Sequence, residues 1–279
     1  MRPLAEQTIL VTGATDGLGK AVATELARGG AAVLLHGRDD ERGRAAIADI
    51  AGETGNGRLS WHRADLASLA EVRALGERLA AEVERLDCLV NNAGIGTNLP
   101  GDGERMESRD GNELRFQVNY LSGFLLTRLL EPLLVRSAPA RVVNVSSAGQ
   151  MPIDFGDVML ERGYSGVRAY CQSKLAQVMF TIDLAARLES DGVSVNCLHP
   201  ATYMPTKMVF ASRGSAVSTL EEGMEATLRL IADPALDRVG GRYFDGASES
   251  AADGQAYDED ARRRLWDLSE RLTGFGPSG

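Results

Sequence analysis

Short apolar, β-branched runs alternate along this chain with longer segments whose apolar positions recur every three to four residues. The first run, Thr8-Ile9-Leu10-Val11, is apolar on both faces, as a strand buried inside a parallel sheet must be. Similar runs at 32–38, 59–63, 86–90, 141–147 and 193–198 predict five more strands, and 241–244 predicts a last, short one. Between them, helical periodicity covers 20–28, 41–50, 68–84, 112–136 and 163–190, and 258–273 reads as a charged amphipathic helix on the surface. Strands alternating with helices of about ten residues or more predict a doubly wound α/β fold, a parallel sheet with helices on both faces. No repeat or linker interrupts the pattern, which predicts a single domain.

One helix carries more apolar surface than a sheet can cover. Tyr120-Leu121-Ser122-Gly123-Phe124-Leu125-Leu126 is apolar nearly all round. Its second face needs another partner, and a second subunit would serve, so a homodimer or homotetramer is expected.

Composition narrows the setting. The 279 residues are 44% hydrophobic and 25% charged, with a formal net charge of −9. An acidic chain without a Lys/Arg-rich run argues against a nucleic-acid surface. Three cysteines suggest reduced thiols. No run approaches ~18 apolar residues, and the first residues lack a signal-peptide core, so a soluble, cytoplasmic protein with no membrane segment is expected. His36, His62 and His199 are too far apart to form a recognisable ligand pattern, and no metal is expected.

Candidate chemistry lies where the strands end. Gly13-Ala14-Thr15-Asp16-Gly17-Leu18-Gly19 follows the first strand and opens the first helix. Glycines let backbone approach a dinucleotide pyrophosphate, and the helix N-terminus offers free N–H groups and partial positive charge. This is the Rossmann context, although the spacing G-x3-G-x-G differs from G-x-G-x-x-G. After the second strand Gly37 stands where an acid would bond ribose hydroxyls, and Arg38 follows. An arginine there can pair with a 2′-phosphate, which favours NADP(H) over NAD(H). Asp65, after the third strand, could accept from an adenine amino group or cap the next helix. Asn91-Asn92-Ala93-Gly94 ends the fourth strand with small and polar residues suited to a backbone lying against a ligand. Tyr170 and Lys174 are four apart on one helix face, where the ammonium would favour the phenolate and tune it for proton transfer.

In order, Thr12-Gly13-x3-Gly17-x-Gly19, Asp65-Leu66, Asn91-Asn92-Ala93-Gly94, Asn119, Ser146-Ser147, Tyr170-x3-Lys174 and His199-Pro200 resemble the short-chain dehydrogenase/reductase family over about residues 7–206. The stretches 141–147, 169–176, 241–244 and 265–269 are similar to its retinol-dehydrogenase-like and WW-domain-oxidoreductase-like branch. The membrane-anchoring N-terminal segment of many retinol dehydrogenases is not seen, so the resemblance does not imply retinoid chemistry. It implies Tyr170 as general acid/base and Lys174 as the residue that lowers its pKa and bonds the nicotinamide ribose. Ser147 would polarise the substrate carbonyl, with Ser146 the second choice, and Asn119 would hold a proton-relay water near Lys174. The cofactor would lie against Gly13, Thr15, Asp16, Gly17, Leu18 and Gly19, then Arg38, Asp65 and Leu66, then Asn91, Ala93 and Gly94. Tyr170, Lys174 and Pro200 would complete its site, with Thr206 before Thr202 as the side chain reaching the pyrophosphate.

Two departures stand out. Ser147 and Tyr170 are 23 positions apart, a longer gap than most of the family has, and the extra loop beginning Met151-Pro152-Ile153-Asp154-Phe155 is apolar enough to wall a pocket or touch a neighbouring subunit. After Pro200 stands Ala201 where the family usually has glycine. Residues at about 200–220, with Met208, Val209 and Phe210, read as a substrate lid. The expectation is an NADP(H)-dependent oxidoreductase interconverting a small-molecule carbonyl and alcohol. The rivals are a non-catalytic dinucleotide sensor and an epimerase or dehydratase using the cofactor transiently.

Overall fold

Leu10 pairs in parallel with Leu34 on one side and with Leu89 on the other, at the centre of the sheet. In the computed structural model, which describes residues 1–98 and 104–276, the strands are β1 (Thr8–Val11), β2 (Ala32–Gly37), β3 (Leu59–Arg63), β4 (Cys88–Asn91), β5 (Ala140–Val145), β6 (Val193–His199), β7 (Tyr243–Asp245) and β8 (Ser248–Ser250). Their order is β3-β2-β1-β4-β5-β6-β7-β8. All neighbours are parallel except β7 and β8. The order reverses between β1 and β4, so a crevice opens at the carboxyl ends of those strands.

Side chains alternate across the sheet, which explains why the strands are apolar on both faces. Ile9, Val11 and Val33 join Val22, Leu26 and Leu230 beneath α1 (Gly17–Arg28), α2 (Asp40–Thr54) and α8 (Leu220–Ala232). Leu10, Leu89 and Val142 join Leu75, Phe124 and Met179 on the other face. That face is covered by α3 (Leu69–Glu82), α5 (Ser122–Arg136) and α6 (Gly166–Leu188).

Several expectations change. The helix expected over 112–136 is three pieces: α4 (Leu114–Phe116), a π-helical turn (Gln117–Leu121) and α5. Ser68, not Asp65, caps α3, its hydroxyl accepting from Glu71 N at 3.4 Å. The antiparallel β8 was not expected, since Ser248, Glu249 and Ser250 are all exposed and give no apolar signal. The extra loop turns inward: Ile153 is buried in the core, and its N–H donates to Gln255 Oε1 at 2.6 Å. Part of the polar loop expected over 96–111 lies outside the described residues.

The largest change concerns the helix with two apolar faces. Its second face is covered by the same chain, through α9 (Glu259–Thr273), rather than left for a second subunit. Trp266 of α9 packs 5.3 Å from Phe124 and 5.9 Å from Phe180, centroid to centroid. Tyr120 Oη bonds Ser269 Oγ at 2.7 Å. Arg187 lies 3.7 Å and Arg128 5.1 Å from the Trp266 ring, so cations flank the indole. The charged helix expected on the surface therefore carries a core residue, Trp266, only 4% exposed. Among the described residues no helix is long and apolar enough to cross a membrane.

Candidate active site

The glycine loop is pressed against the end of β4. Gly13 has φ +67°, and a Cβ there would stand 2.9 Å from Ala93 Cα. A Cβ on Gly19 would stand 2.3 Å from Gly13 O, so loop and helix meet backbone to backbone. Thr12 Oγ1 accepts from Asn92 N and Ala93 N at 2.9 and 3.0 Å, and Asn92 Nδ2 donates to Thr12 O at 2.8 Å. His36 braces the other side: Gly13 N donates to Nδ1 at 3.4 Å, and Nε2 faces Ala64 O at 3.2 Å. A carbonyl only accepts, so Nε2 carries the proton. Burial pushes this imidazole down to about 4.

Asp16 caps α1 by accepting from Gly17 N at 2.8 Å. The Leu18 and Gly19 amides of the first turn have no protein acceptor among the described residues. Unpaired amides at a helix N-terminus, beside a glycine cradle that excludes side chains, fit a dinucleotide pyrophosphate. The Leu18 side chain itself is buried in the core.

The neighbouring strand ends complete this flank. Trp61 and Thr15 close over Gly37, where a Cβ would meet them at 2.7 and 3.1 Å. Arg38 follows, exposed, and no ion pair joins it to the described residues. Four residues on, Arg42 reaches Asp16 at 3.2 Å, so two guanidinium groups border the crevice where the sequence pointed to one. Asp65 accepts from Ala67 N at 3.1 Å and meets Arg109 at 3.4 Å, with Leu66 buried behind it. The Asn91 side chain is turned into the core, donating to Thr127 Oγ1 and Asn144 Oδ1, each at 2.9 Å.

Past β5 the two serines divide their work. Ser146 Oγ donates to Lys174 O at 2.8 Å and so pins α6 to the sheet. Ser147 Oγ accepts from Gly149 N at 3.0 Å and faces the Tyr170 side chain. Its carbonyl is held by Gln150 Nε2 at 2.9 Å and Tyr243 Oη at 3.3 Å. Burial pushes the Tyr170 phenol up, and the Ser147 hydroxyl beside it pulls it partly back. Lys174 Nζ lies 5.7 Å from the Tyr170 ring centroid and donates to Val145 O and Gln177 Oε1, each at 2.9 Å. Burial without a carboxylate partner lowers this ammonium to about 7. Asn119, in the π turn, donates to Ser173 Oγ at 2.9 Å and Ile95 O at 3.1 Å, and accepts from Ile95 N at 2.8 Å. It thereby ties the loop after β4 to α6. A Cβ on Gly94 would come within 3.2 Å of Asn119 Oδ1 and 3.6 Å of Lys174 Nζ, so Gly94, Asn119 and Lys174 converge.

The segment after β6 crosses the crevice mouth. Pro200 is buried, and Thr202 Oγ1 bonds His199 Nε2 at 3.1 Å. Thr206 caps α7 (Lys207–Arg213), and its methyl lies 3.3 Å from the Cβ position of Gly17. Met208 fills the space a Gly96 Cβ would take, at 2.5 Å. Thr206 thus reaches the glycine loop, whereas Thr202 is held at the end of β6. Tyr203 adopts φ +50° and is half exposed, with the Arg213 guanidinium 4.5 Å over its ring.

The profile of the short chain dehydrogenase family matches residues 7–215. The chain belongs to that family. It is 41% identical over 286 residues to mouse retinol dehydrogenase 13, covering 96% of this chain and 84% of the relative. In structure it is similar to an uncharacterized protein from Mycobacterium Paratuberculosis, with a TM-score of 0.79 and 32% identity over 98% of this chain and 96% of that one. A short chain dehydrogenase from Shigella flexneri 2a complexed with NADP matches with a TM-score of 0.70 and 30% identity, over 86% and 97% of the two chains. This short-chain dehydrogenase is therefore an NAD(P)-dependent oxidoreductase acting on alcohols.

Sequence reasoning passed over Arg42, Gln177 and Lys207, and took Asn92 only as part of the motif that ends β4. Arg42 and Lys207 read as ordinary solvated charges, and the amides gained meaning only from the backbone they bond. Gln177 did leave a trace, because it continues the Tyr170–Lys174 face of α6.

Proposed function

We propose that this short-chain dehydrogenase interconverts a carbonyl and an alcohol with NADP(H), with Tyr170 as general acid/base. The observation that carries this reading is the Ser147–Tyr170 hydroxyl pair at the carboxyl end of β5, with the Lys174 ammonium on the same helix face and Gly94 opening the space beside it. The cofactor, when bound, supplies or takes up the hydride.

The chain's own residues supply the rest. Tyr170 gives its proton to the substrate oxygen in reduction and removes it in oxidation. Ser147 Oγ, already accepting from Gly149 N, can turn its one proton from the Tyr170 oxygen to the substrate oxygen as charge develops on it. Lys174 would bond the nicotinamide ribose and draw the raised Tyr170 phenol back toward neutral pH. Asn119 holds the β4 loop against α6, and a relay water would need only the remaining lone pair on its Oδ1. Thr206 and the first-turn amides of α1 would hold the pyrophosphate. Arg38, with Arg42 beside it, would meet the 2′-phosphate and so favour NADP(H) over NAD(H).

The strap over 200–220 acts as the substrate lid in this reading. Met208 already packs on the β4 loop, while Tyr203, Phe210 and Val217 stay exposed. Apolar groups held at the mouth of a polar site suit a partly apolar alcohol or carbonyl compound.

Tyr170→Phe tests the reading. Turnover should fall by about 10²–10⁴-fold, with NADP(H) affinity by fluorescence titration nearly unchanged. A variant that kept its activity would refute the acid/base role.

A further inference from the structure

On α6, Tyr170, Lys174, Gln177 and Thr181 follow one another at spacings of four, three and four, so they share one helix face. Their neighbours Leu175, Ala176, Val178 and Met179 are buried and apolar. Buried polar groups cost stability unless they are hydrogen-bonded, so a polar stripe inside a core calls for a physical reason.

Every buried member of the stripe has a bond. Gln177 is 4% exposed. Its Oε1 accepts from Lys174 Nζ at 2.9 Å. An ammonium only donates, so the amide must present its oxygen to it. Gln177 O accepts from Thr181 Oγ1 at 2.8 Å, which accepts from Asn144 Nδ2 at 2.8 Å. Asn144 Oδ1 in turn accepts from Asn91 Nδ2 at 2.9 Å. The stripe is thereby fastened to β5 and β4.

We propose that Gln177 is a positioning residue that fixes both the place and the charge of Lys174. This rests on the reading of Lys174 given under the proposed function. Val145 O, a main-chain group, is the other acceptor of the ammonium and does not change with side-chain substitution. Gln177 is the side chain that does. The titratable groups around Lys174 are Tyr170 on α6 and His199 on β6, with Asp245 of β7 acting on His199. None is a carboxylate bonded to Lys174. With burial holding the ammonium close to neutral pH, the acceptor at 177 decides how much of it is charged.

The test is a charge series at one position, read as the pH dependence of kcat/KM for carbonyl reduction. Lys174 acts when charged, so its loss of a proton sets an alkaline limb. Gln177→Leu removes the acceptor and should move that limb to lower pH. Gln177→Glu places a carboxylate there and should move it up by about one to three pH units. Thr181→Val breaks the same stripe without touching Nζ; it should lower Tm and leave the profile in place. Opposite shifts in the Leu and Glu variants support the proposal. Unchanged profiles, or shifts of one sign in both that track lost Tm, overturn it. If the Leu variant does not fold, the Glu variant against the parent decides alone. Tyr170→Phe, run in parallel, separates the two readings. Activity surviving there would sink the acid/base assignment, whereas an inactive Tyr170→Phe with a flat Gln177 series would sink only the role of Gln177.

Discussion

Lys207 Nζ lies 2.5 Å from Asp16 Oδ2, and this pair ties the strap after β6 to the glycine loop after β1. The two side chains are 79% and 46% exposed, so water and salt screen the contact. Lys207→Ala should therefore cost less than about 1 kcal/mol of stability. It should also speed cleavage by chymotrypsin after the exposed Phe210. Raising the ionic strength on the parent protein should mimic it. A strap equally resistant in both proteins would mean that Met208 and Thr206 hold it without the ion pair.

Arg38 and Arg42 border the crevice one helical turn apart. Arg38→Ala should weaken NADP(H) by about 10- to 100-fold, the worth of a charge-assisted bond to phosphate. NAD(H) affinity should change little. Arg42→Ala should act in the same direction and less strongly, because Arg42 also serves Asp16. Titrations of both cofactors check this, and equal losses for the two would show that neither guanidinium meets the 2′-phosphate.

Gly19 has no room for a methyl group, because the atom it would strike is main-chain oxygen. Gly19→Ala should destabilise by about 1–3 kcal/mol and abolish cofactor binding. Gly52, inside α2, has nothing within 4 Å of its Cβ position. Gly52→Ala should stabilise by up to about 1 kcal/mol and leave binding alone. Thermal melts and cofactor titrations of the two variants make the comparison.

His36 should mark the acid response. Folded, it titrates at about 4 because it is buried; unfolded, it returns to about 6.5. As pH falls through 6.5 the unfolded chain takes up a proton that the folded chain refuses until about 4. Stability attached to the neutral ring is thus complete above about 6.5 and drains away toward 4, by about 3 kcal/mol in all. His36→Gln should lack this component, so the stability gap between parent and variant should narrow on acidification. Urea unfolding at pH 7.5 and pH 5 measures it, and a constant gap would contradict the assignment.

The strands and the Tyr170–Lys174 face were legible because burial imposes a period on the chain. The sheet buries both faces of β1, and the sequence shows that as an unbroken apolar run. Ser68 and Asp65 show the limit: either could cap α3, and only the backbone path decides. The π turn was invisible because Gln117–Leu121 has the composition of any helix. The second apolar face of α5 was visible, but periodicity states that a face needs cover and not what supplies it. Arg42 and Lys207 meet Asp16 across large sequence separations, which no local pattern encodes.

That cover has a cost if it is lost. Removing α9, or cutting Trp266 back to alanine, would strip Phe124 and Phe180 of their lid and leave an aromatic patch in water. Such a protein would gain by pairing patch with patch, and its melting point would begin to depend on how concentrated the solution is. A contact that now closes within one chain at any dilution would become a reason for two chains to meet.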